Sequence, residues 1–150
     1  MDIEYDTFTG AFLTKVTEYR FVHLFEEDRN ALTDSYMKRA LAQFCNECAV
    51  VVDAYDDEDR IVAFHDGLTM VQVDDIIDIV SDGMLVEWLK PYVYKQENLE
   101  NMLNTQDYTA YSPAELTHRV HEVYNTCRVN FTQRMREYSY VHGDLTVLHL

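Results

Sequence analysis

The sequence predicts an all-α fold: a small bundle of about four to five helices with a long C-terminal helix and an extended C-terminal tail. Only 4 glycines and 2 prolines occur among 150 residues, and this scarcity argues against a turn-rich β-sandwich or barrel. Apolar residues recur at steps of three and four along several stretches, which is typical of amphipathic helices. The length fits one domain. We place this helical domain at residues 1–143 and a tail at residues 144–150.

Two helices are predicted in the first third of the chain. Residues 1–6 form a short acidic arm, after which Asp6 or Thr7 caps a first helix that continues to Val16. The crowded apolar residues of 21–25 predict a packed connector. Acidic residues at 26–28 favour the positive end of a helix dipole, so a second helix extends from about residue 26 to residue 48.

Residues 49–68 are predicted to be a long acidic excursion with little regular structure. Residues 53–59 contain five acids in seven positions, and the apolar run at 61–64 shows no alternation before it ends near Gly67. A short strand or hairpin is the alternative. Loops of this length in compact domains are usually functional or disordered.

A central third helix is predicted next. Thr69 and Gln72 have the spacing of a capping box, and the apolar arc of residues 73–89 is so wide that it leaves one polar face. That face bears Asp74, Asp78 and Asp82, which we expect to be exposed. Pro91 should end or kink this helix, and residues 92–103 can then resume as a shorter one.

The C-terminal helix has a strong start signal in Ser112, Pro113 and Glu115. Its apolar stripe should pack on the central helix and extends to about Tyr140. The stripe comprises Leu116, Val120, Val123, Cys127, Phe131, Met135 and Tyr138. Gly143 is a plausible terminator. The apolar tail beyond it has no helical signal, which predicts that it binds a partner.

The formal net charge of −15 makes it improbable that a basic face grips phosphates. An acidic surface repels DNA, which is useful where DNA must slide past without adhering, although the simpler interpretation is solubility. No apolar run approaches the roughly 20 residues of a membrane helix, and the first residues do not resemble a signal peptide. We therefore expect no membrane association and an intracellular setting. The odd count of 3 cysteines does not suggest a disulfide framework.

Two motifs invite a metal or redox interpretation. Cys45 and Cys48 have CxxC spacing, but helical residues precede them and only His65 and Cys127 could complete a zinc site, so core packing is favoured. Glu115 and His118 form one Glu-x-x-His motif, whereas two-metal carboxylate bundles need a second one. We interpret His118 and His121 as partly exposed helix residues.

Further enzyme signatures are incomplete or absent from the sequence. The acidic run at 53–59 lacks the ligand register and central glycine of a calcium-binding EF-hand loop. The sequence contains no glycine-rich phosphate loop, no G-x-S-x-G elbow and no H-E-x-x-H motif. We therefore expect a protein that is not an enzyme and that needs no cofactor or metal.

Residues 82–145 resemble the small head-to-tail connector (adaptor, or neck) proteins of tailed bacteriophages. The resemblance rests on Gly83-Met84 leading to Trp88-Leu89-Lys90-Pro91, on Glu97-Asn98-Leu99 and Asp107-Tyr108, on Tyr111-Ser112-Pro113-Ala114, and on Tyr138-Ser139-Tyr140 with Gly143-Asp144-Leu145. The first half matches only through the order of its helices. The excursion at 49–68 has no place in the family pattern.

The resemblance implies a virion protein, made in the host cytoplasm, that forms a homo-oligomeric and commonly dodecameric ring below the portal protein. A downstream neck or tail protein would bind another face, and DNA would pass without specific binding. The portal-docking tail would comprise Asp144, Leu145, Thr146, Val147, Leu148, His149 and Leu150. Subunit or partner contacts would involve Trp88, Pro91, Tyr108, Tyr111, Tyr138 and Tyr140. The acidic face toward the DNA passage would comprise Asp53, Asp56, Asp57, Glu58 and Asp59.

Two other classes of function stay open from the sequence. An acidic regulatory or DNA-mimic protein would use residues 53–59 and the Asp74 ridge to bind a basic partner, and its binding would be salt-sensitive. A metal-dependent enzyme would contain stoichiometric zinc or iron, which elemental analysis would detect.

Overall fold

A computed structural model describes residues 1–18, 30–50, 52–94 and 113–142. In chain order the described elements are β1 (Asp2–Glu4), α1 (Tyr5–Glu18), α2 (Asn30–Cys48), β2 (Val52–Asp56), β3 (Ile61–Phe64), α3 (Met70–Tyr94) and α4 (Pro113–His142). The predicted helical bundle with a long C-terminal helix is confirmed. A small sheet accompanies it, which the all-α prediction did not include.

Helix α3 is the centre of the bundle, as the wide apolar arc predicted. It packs against α1, α2 and α4, and every residue from Ile79 to Leu89 is buried. Gly83 allows this close approach, because a Cβ at that position would lie 2.5 Å from Phe131 Cε2 and 2.8 Å from Ala40 Cβ. The three helices α2, α3 and α4 therefore meet at Gly83.

The helix does not end at Pro91 but continues to Tyr94. Proline removes one intrahelical hydrogen bond, to the carbonyl four residues earlier, and this loss affects only the last turn of the helix. The aromatic rings of Trp88 and Tyr92 meet edge to face across this turn at 6.2 Å between centroids, which helps to hold it. The resumed helix predicted at 92–103 lies largely outside the described residues.

The predicted capping box of α3 and the predicted stripe of α4 agree with the structure where it describes them, whereas the predicted caps Asp6 and Thr7 lie within the first turn of α1. Thr69 N donates to Gln72 Oε1 at 2.9 Å and Gln72 N donates to Thr69 Oγ1 at 3.2 Å, so the capping box of α3 is confirmed. Along α4 the stripe from Val120 to Tyr138 is buried against α3. The predicted connector at 21–25, the start of α2 near residue 26 and the cap Ser112 lie outside the described ranges.

The prediction of an irregular excursion at 49–68 was wrong, because this segment contains the antiparallel hairpin β2–β3. Strand β1 extends the hairpin into a three-stranded sheet of order β1-β3-β2, with Ile3 opposite Val62. The predicted acidic arm is therefore largely a strand, and α1 begins at Tyr5. Val62 and Phe64 of β3 point into the core and attach the sheet to the helices.

Candidate interaction surfaces

The acidic residues of 53–59 lie on β2 and on the turn that follows it, and Asp56 organises that turn. Its Oδ1 accepts hydrogen bonds of 3.0 Å from both Glu58 N and Asp59 N. An aspartate that accepts from the backbone two and three residues later is typical of tight turns. Arg60 completes the turn with a positive φ of 56°. We call residues 56–59 the hairpin tip.

Arg60 attaches the hairpin to two helices. Its Nε and Nη2 donate to Asp34 of α2 at 3.2 and 2.9 Å, and its Nη1 donates to Asp6 of α1 at 2.7 Å. The hydrogen bonds to Asp34 and Asp6 raise the pKa of the Arg60 guanidinium despite the opposing effect of burial. A bidentate pair fixes orientation as well as distance, so the hairpin is held in one position on the bundle.

A second contact involves Asp57, Lys38 and Tyr5. Asp57 Oδ1 accepts from Lys38 Nζ and, at 2.9 Å, from Tyr5 Oη. The hydrogen bond from Lys38 lowers the pKa of Asp57, and the one from Tyr5 adds to the effect. The ammonium of Lys38 also lies 5.7 Å from the Tyr5 ring centroid and 5.4 Å from that of Tyr55.

The predicted acidic face is therefore only partly available to a partner. Asp53, Asp56, Glu58 and Asp59 are exposed, but Asp53 lies 3.3 Å from His65 Nδ1 and Asp57 is held by Lys38. Among the described residues, the side chains of Glu58 and Asp59 form no ion pair. These two carboxylates of the hairpin tip are therefore available to a partner.

The polar ridge of α3 differs from the prediction, because Asp82 is buried. Lys15 of α1 donates to Asp82 Oδ1 at 2.9 Å, and Arg134 of α4 donates to Asp82 Oδ2 at 3.0 Å. Both cations also pair with Asp78. Burial opposes ionisation of Asp78, but hydrogen bonds from Arg134 and Lys15 outweigh it and lower the pKa of this carboxyl. Asp74 and Asp78 are exposed as predicted, and of the three ridge residues only Asp74 forms no ion pair among the described residues.

A groove of about 360 Å³ lies between α2 and α4. Its floor is apolar and contains Val86 and Phe131. Its walls are polar or charged and include Gln43, Asn46, Glu47, Lys90, Tyr124, Arg128, Thr132 and Arg136. The sequence interpretation missed this groove. A local signal existed in the spacing of Arg128, Thr132 and Arg136, which places them on one side of a helix.

Lys90 at the end of this groove has a partner within the chain, since its Nζ donates to buried Glu87 at 2.7 Å. Arg39 lies 3.8 Å from the same carboxylate. Nearby, burial and a 3.1 Å hydrogen bond with Tyr94 raise the pKa of Tyr124 to about 12. By contrast, Arg128 and Arg136 have no carboxylate within 4.0 Å among the described residues.

The residues predicted to contact other subunits fall into three groups. Trp88 and Tyr138 are 3% and 6% exposed and pack in the core of their own chain, so in this fold they are not available to a partner. Tyr140 is 74% exposed, and Pro91 is also exposed. Tyr108 and Tyr111 lie outside the described ranges, as does the predicted docking tail, residues 144–150.

The cysteines occupy packing positions. Cys48 is buried and donates to the carbonyl of Met135 at 3.2 Å, and Cys45 is half-buried. Burial raises the pKa of both thiols to about 11, which opposes the thiolate form that redox chemistry and metal binding require. His118 and His121 are exposed. Within the described ranges, no group of three or more histidine, cysteine, aspartate or glutamate side chains converges on a point that could hold a metal ion.

Comparisons with protein families, with curated proteins and with solved structures find no match to this chain. None of the helices that the structure describes has the length and hydropathy required to cross a membrane.

Proposed function

We propose that the chain is a structural, non-enzymatic virion protein: a head-to-tail connector subunit that forms a ring between the portal protein and the next neck or tail protein. The ring comprises about twelve copies, the number that the resemblance implies, and DNA passes through it without specific binding. The proposal is supported by the positions in the fold of the residues on which the resemblance rests.

Two resembling residues, Gly83 and Trp88, lie at points where packing tolerates little change. Gly83 occupies the crossing of three helices, where an added Cβ would approach Phe131 to within 2.5 Å. Trp88 meets Phe12 edge to face at 5.8 Å and joins α3 to α1. Because both residues determine how helices approach one another, the resemblance concerns packing as well as composition. This supports the assignment to a connector-like bundle.

The charge of the surface is consistent with a DNA passage. Exposed carboxylates also lie outside the hairpin tip, at Asp53 of β2 and Asp74 of α3, on elements that the bundle holds in place. A fixed negative surface repels phosphates, so DNA can move past it without the counterion release that drives binding. Asp57 contributes less to this repulsion because Lys38 neutralises it.

The alternative is an acidic mimic of DNA that binds a basic partner, and the free carboxylates of Glu58 and Asp59 favour it. The carboxylates of Asp57, Asp78 and Asp82 argue against it, because cations of the same chain already bind them. A mimic needs a continuous row of unpaired charges. The connector assignment requires only a repulsive surface and is therefore preferred.

The proposal is tested by mixing the purified chain with its cognate portal protein and imaging the complex. Truncation after Gly143 should abolish portal binding while leaving helical circular dichroism nearly unchanged, because all the described helices lie within residues 5–142. In a full-length variant, serine at Leu145, Leu148 and Leu150 should have the same effect. Conservative changes at the polar tail positions, T146S and H149Q, provide the matched control and should bind normally.

Portal binding that survives truncation would contradict the docking role of the tail. The DNA-mimic alternative makes the opposite set of predictions: binding to a nucleic-acid-binding protein that weakens steeply with salt, and no ring in negative-stain images. The two proposals therefore differ in both partner and assembly.

A further inference from the structure

The unpaired arginines of the α2–α4 groove are unusual in this chain. It has 27 Asp and Glu residues against 12 Lys and Arg residues, so carboxylates are abundant and cations are scarce. Lys15, Lys38, Arg60 and Arg134 each bind a carboxylate within the chain. Among the described residues, Arg119, Arg128 and Arg136 form no ion pair, and of these Arg128 and Arg136 line the groove. Their positive charge is available to an acidic ligand from outside the chain.

The geometry of the groove suits an acidic protein segment. Arg128 and Arg136 are eight residues apart on α4, a separation of about 12 Å along the helix axis. Guanidinium groups bind carboxylates through paired hydrogen bonds, so each arginine can bind one acidic side chain. Gln43 and Asn46 on the opposite wall can hydrogen-bond to the backbone of the bound segment.

The hairpin tip has the complementary properties. Glu58 and Asp59 are adjacent, exposed and unpaired among the described residues, and Arg60 keeps the turn beneath them in one position. Because the turn is already ordered within the chain, its binding would require little additional loss of conformational entropy.

The hairpin and the groove lie on opposite flanks of α2. Asp34 and Lys38 of that helix contact the hairpin, whereas Gln43 and Asn46 line the groove. At 100° per residue, Lys38 and Gln43 point about 140° apart around the helix. A tip cannot reach the groove of its own chain without leaving Asp34, so a second copy must supply it.

We propose that the α2–α4 groove of one copy binds the hairpin tip of a second copy, with Glu58 and Asp59 facing Arg128 and Arg136. The two surfaces differ, so the contact is head-to-tail, and successive copies add in the same sense until the ring closes. This inference rests on the ring of the proposed function and assigns the contact between its subunits.

The test uses two charge-reversal variants of the full chain, E58K/D59K and R128E/R136E. Each variant alone should lose self-assembly, with at least a tenfold weaker association in sedimentation and native mass spectrometry. A mixture of the two should assemble again, because the reversed tip fits the reversed groove and the two unchanged surfaces fit each other. The restored ring would contain alternating copies.

A control variant, D74K/E122K, makes the same change in net charge as E58K/D59K at exposed positions outside both surfaces and should assemble like the unaltered chain. Circular dichroism of all variants should report the same helical content. Recovery in the mixture cannot arise from a folding defect, since two misfolded variants would not restore each other.

The inference would be overturned by assembly that withstands both reversals, by a mixture that stays dissociated, or by an unaltered chain that is monomeric at every concentration and salt tested. Loss of portal binding by R128E/R136E with intact self-assembly would also overturn it, because the groove would then belong to the portal. Truncation of the tail tests the proposed function separately, because that experiment measures portal binding and the charge reversals measure self-assembly.

Discussion

Replacing Gly83 with alanine should not stabilise the protein, although alanine is the better helix former. The new Cβ would lie 2.5 Å from Phe131 Cε2 and 2.8 Å from Ala40 Cβ, so the ring or a neighbouring helix must move. Overpacking of this kind costs about 1–3 kcal/mol. Exchange of glycine for alanine inside a helix contributes about 1 kcal/mol in the opposite direction. The net expectation for G83A is a free energy of unfolding lowered by about 0–2 kcal/mol.

Gly10 provides a matched control because it also lies within a helix, α1, but is exposed. No described atom lies within 4 Å of a Cβ added there, so G10A should stabilise the protein by up to about 1 kcal/mol. The propensity contribution is common to both variants. Urea denaturation followed by far-ultraviolet circular dichroism should therefore separate them by the overpacking cost alone, about 1–3 kcal/mol.

A double-mutant cycle with Phe131 identifies the atoms responsible. In the F131L background the aromatic ring is absent, so G83A should lower the free energy of unfolding by less than it does in the unaltered chain. The reasoning is refuted if G83A stabilises the protein as much as G10A does. A cycle with no coupling between Gly83 and Phe131 would also refute it, because the close contact would then carry no energy.

Three further predictions concern charge and capping. D82N should lower the free energy of unfolding by about 3 kcal/mol, because it removes a buried partner of Lys15 and Arg134, whereas D74N should change it by less than about 0.5 kcal/mol in the same urea assay. The lowered pKa of Asp78 stabilises the fold fully above the unfolded-state pKa of about 3.9, and the effect disappears as pH falls through the lower folded-state value. The free energy of unfolding of D78N should therefore fall less steeply as the pH is lowered through that range. The same pH dependence as in the unaltered chain would count against the pairing. T69A should cost about 1 kcal/mol, because Thr69 Oγ1 accepts from Gln72 N at the start of α3, and thermal melts without any shift would contradict this.

The sequence predicted the helices well because their burial is periodic. The stripe of α4 from Val120 to Tyr138 repeats every three or four residues, and the helix packs against α3 and α2. Such a pattern depends only on positions along one element. The burial of Trp88 and Tyr138 follows from the same stripes, so their assignment to partner contacts overlooked the simpler packing role.

The hairpin was not predicted because its stability depends on distant residues. The paired residues of strands β1 and β3 lie 57 to 61 positions apart in the sequence, and the arginine that holds the turn contacts α1 and α2. Strand preference depends on such context more than on the segment itself. One local signal was present: Asp56 precedes Asp57 and Glu58 in a turn that aspartate favours by accepting backbone hydrogen bonds.

The positions of the cations explain how so acidic a chain keeps a compact fold. Lys15 joins α1 to α3, Arg134 joins α4 to α3, Arg60 joins the hairpin to α1 and α2, and Lys38 joins α2 to the hairpin tip. Each of these contacts crosses between elements, where like charges would otherwise repel. Most cations of the described residues bind carboxylates inside the chain, and Arg119, Arg128 and Arg136 do not. Because Arg128 and Arg136 both line the groove, the groove is the best indication of where another acidic surface binds.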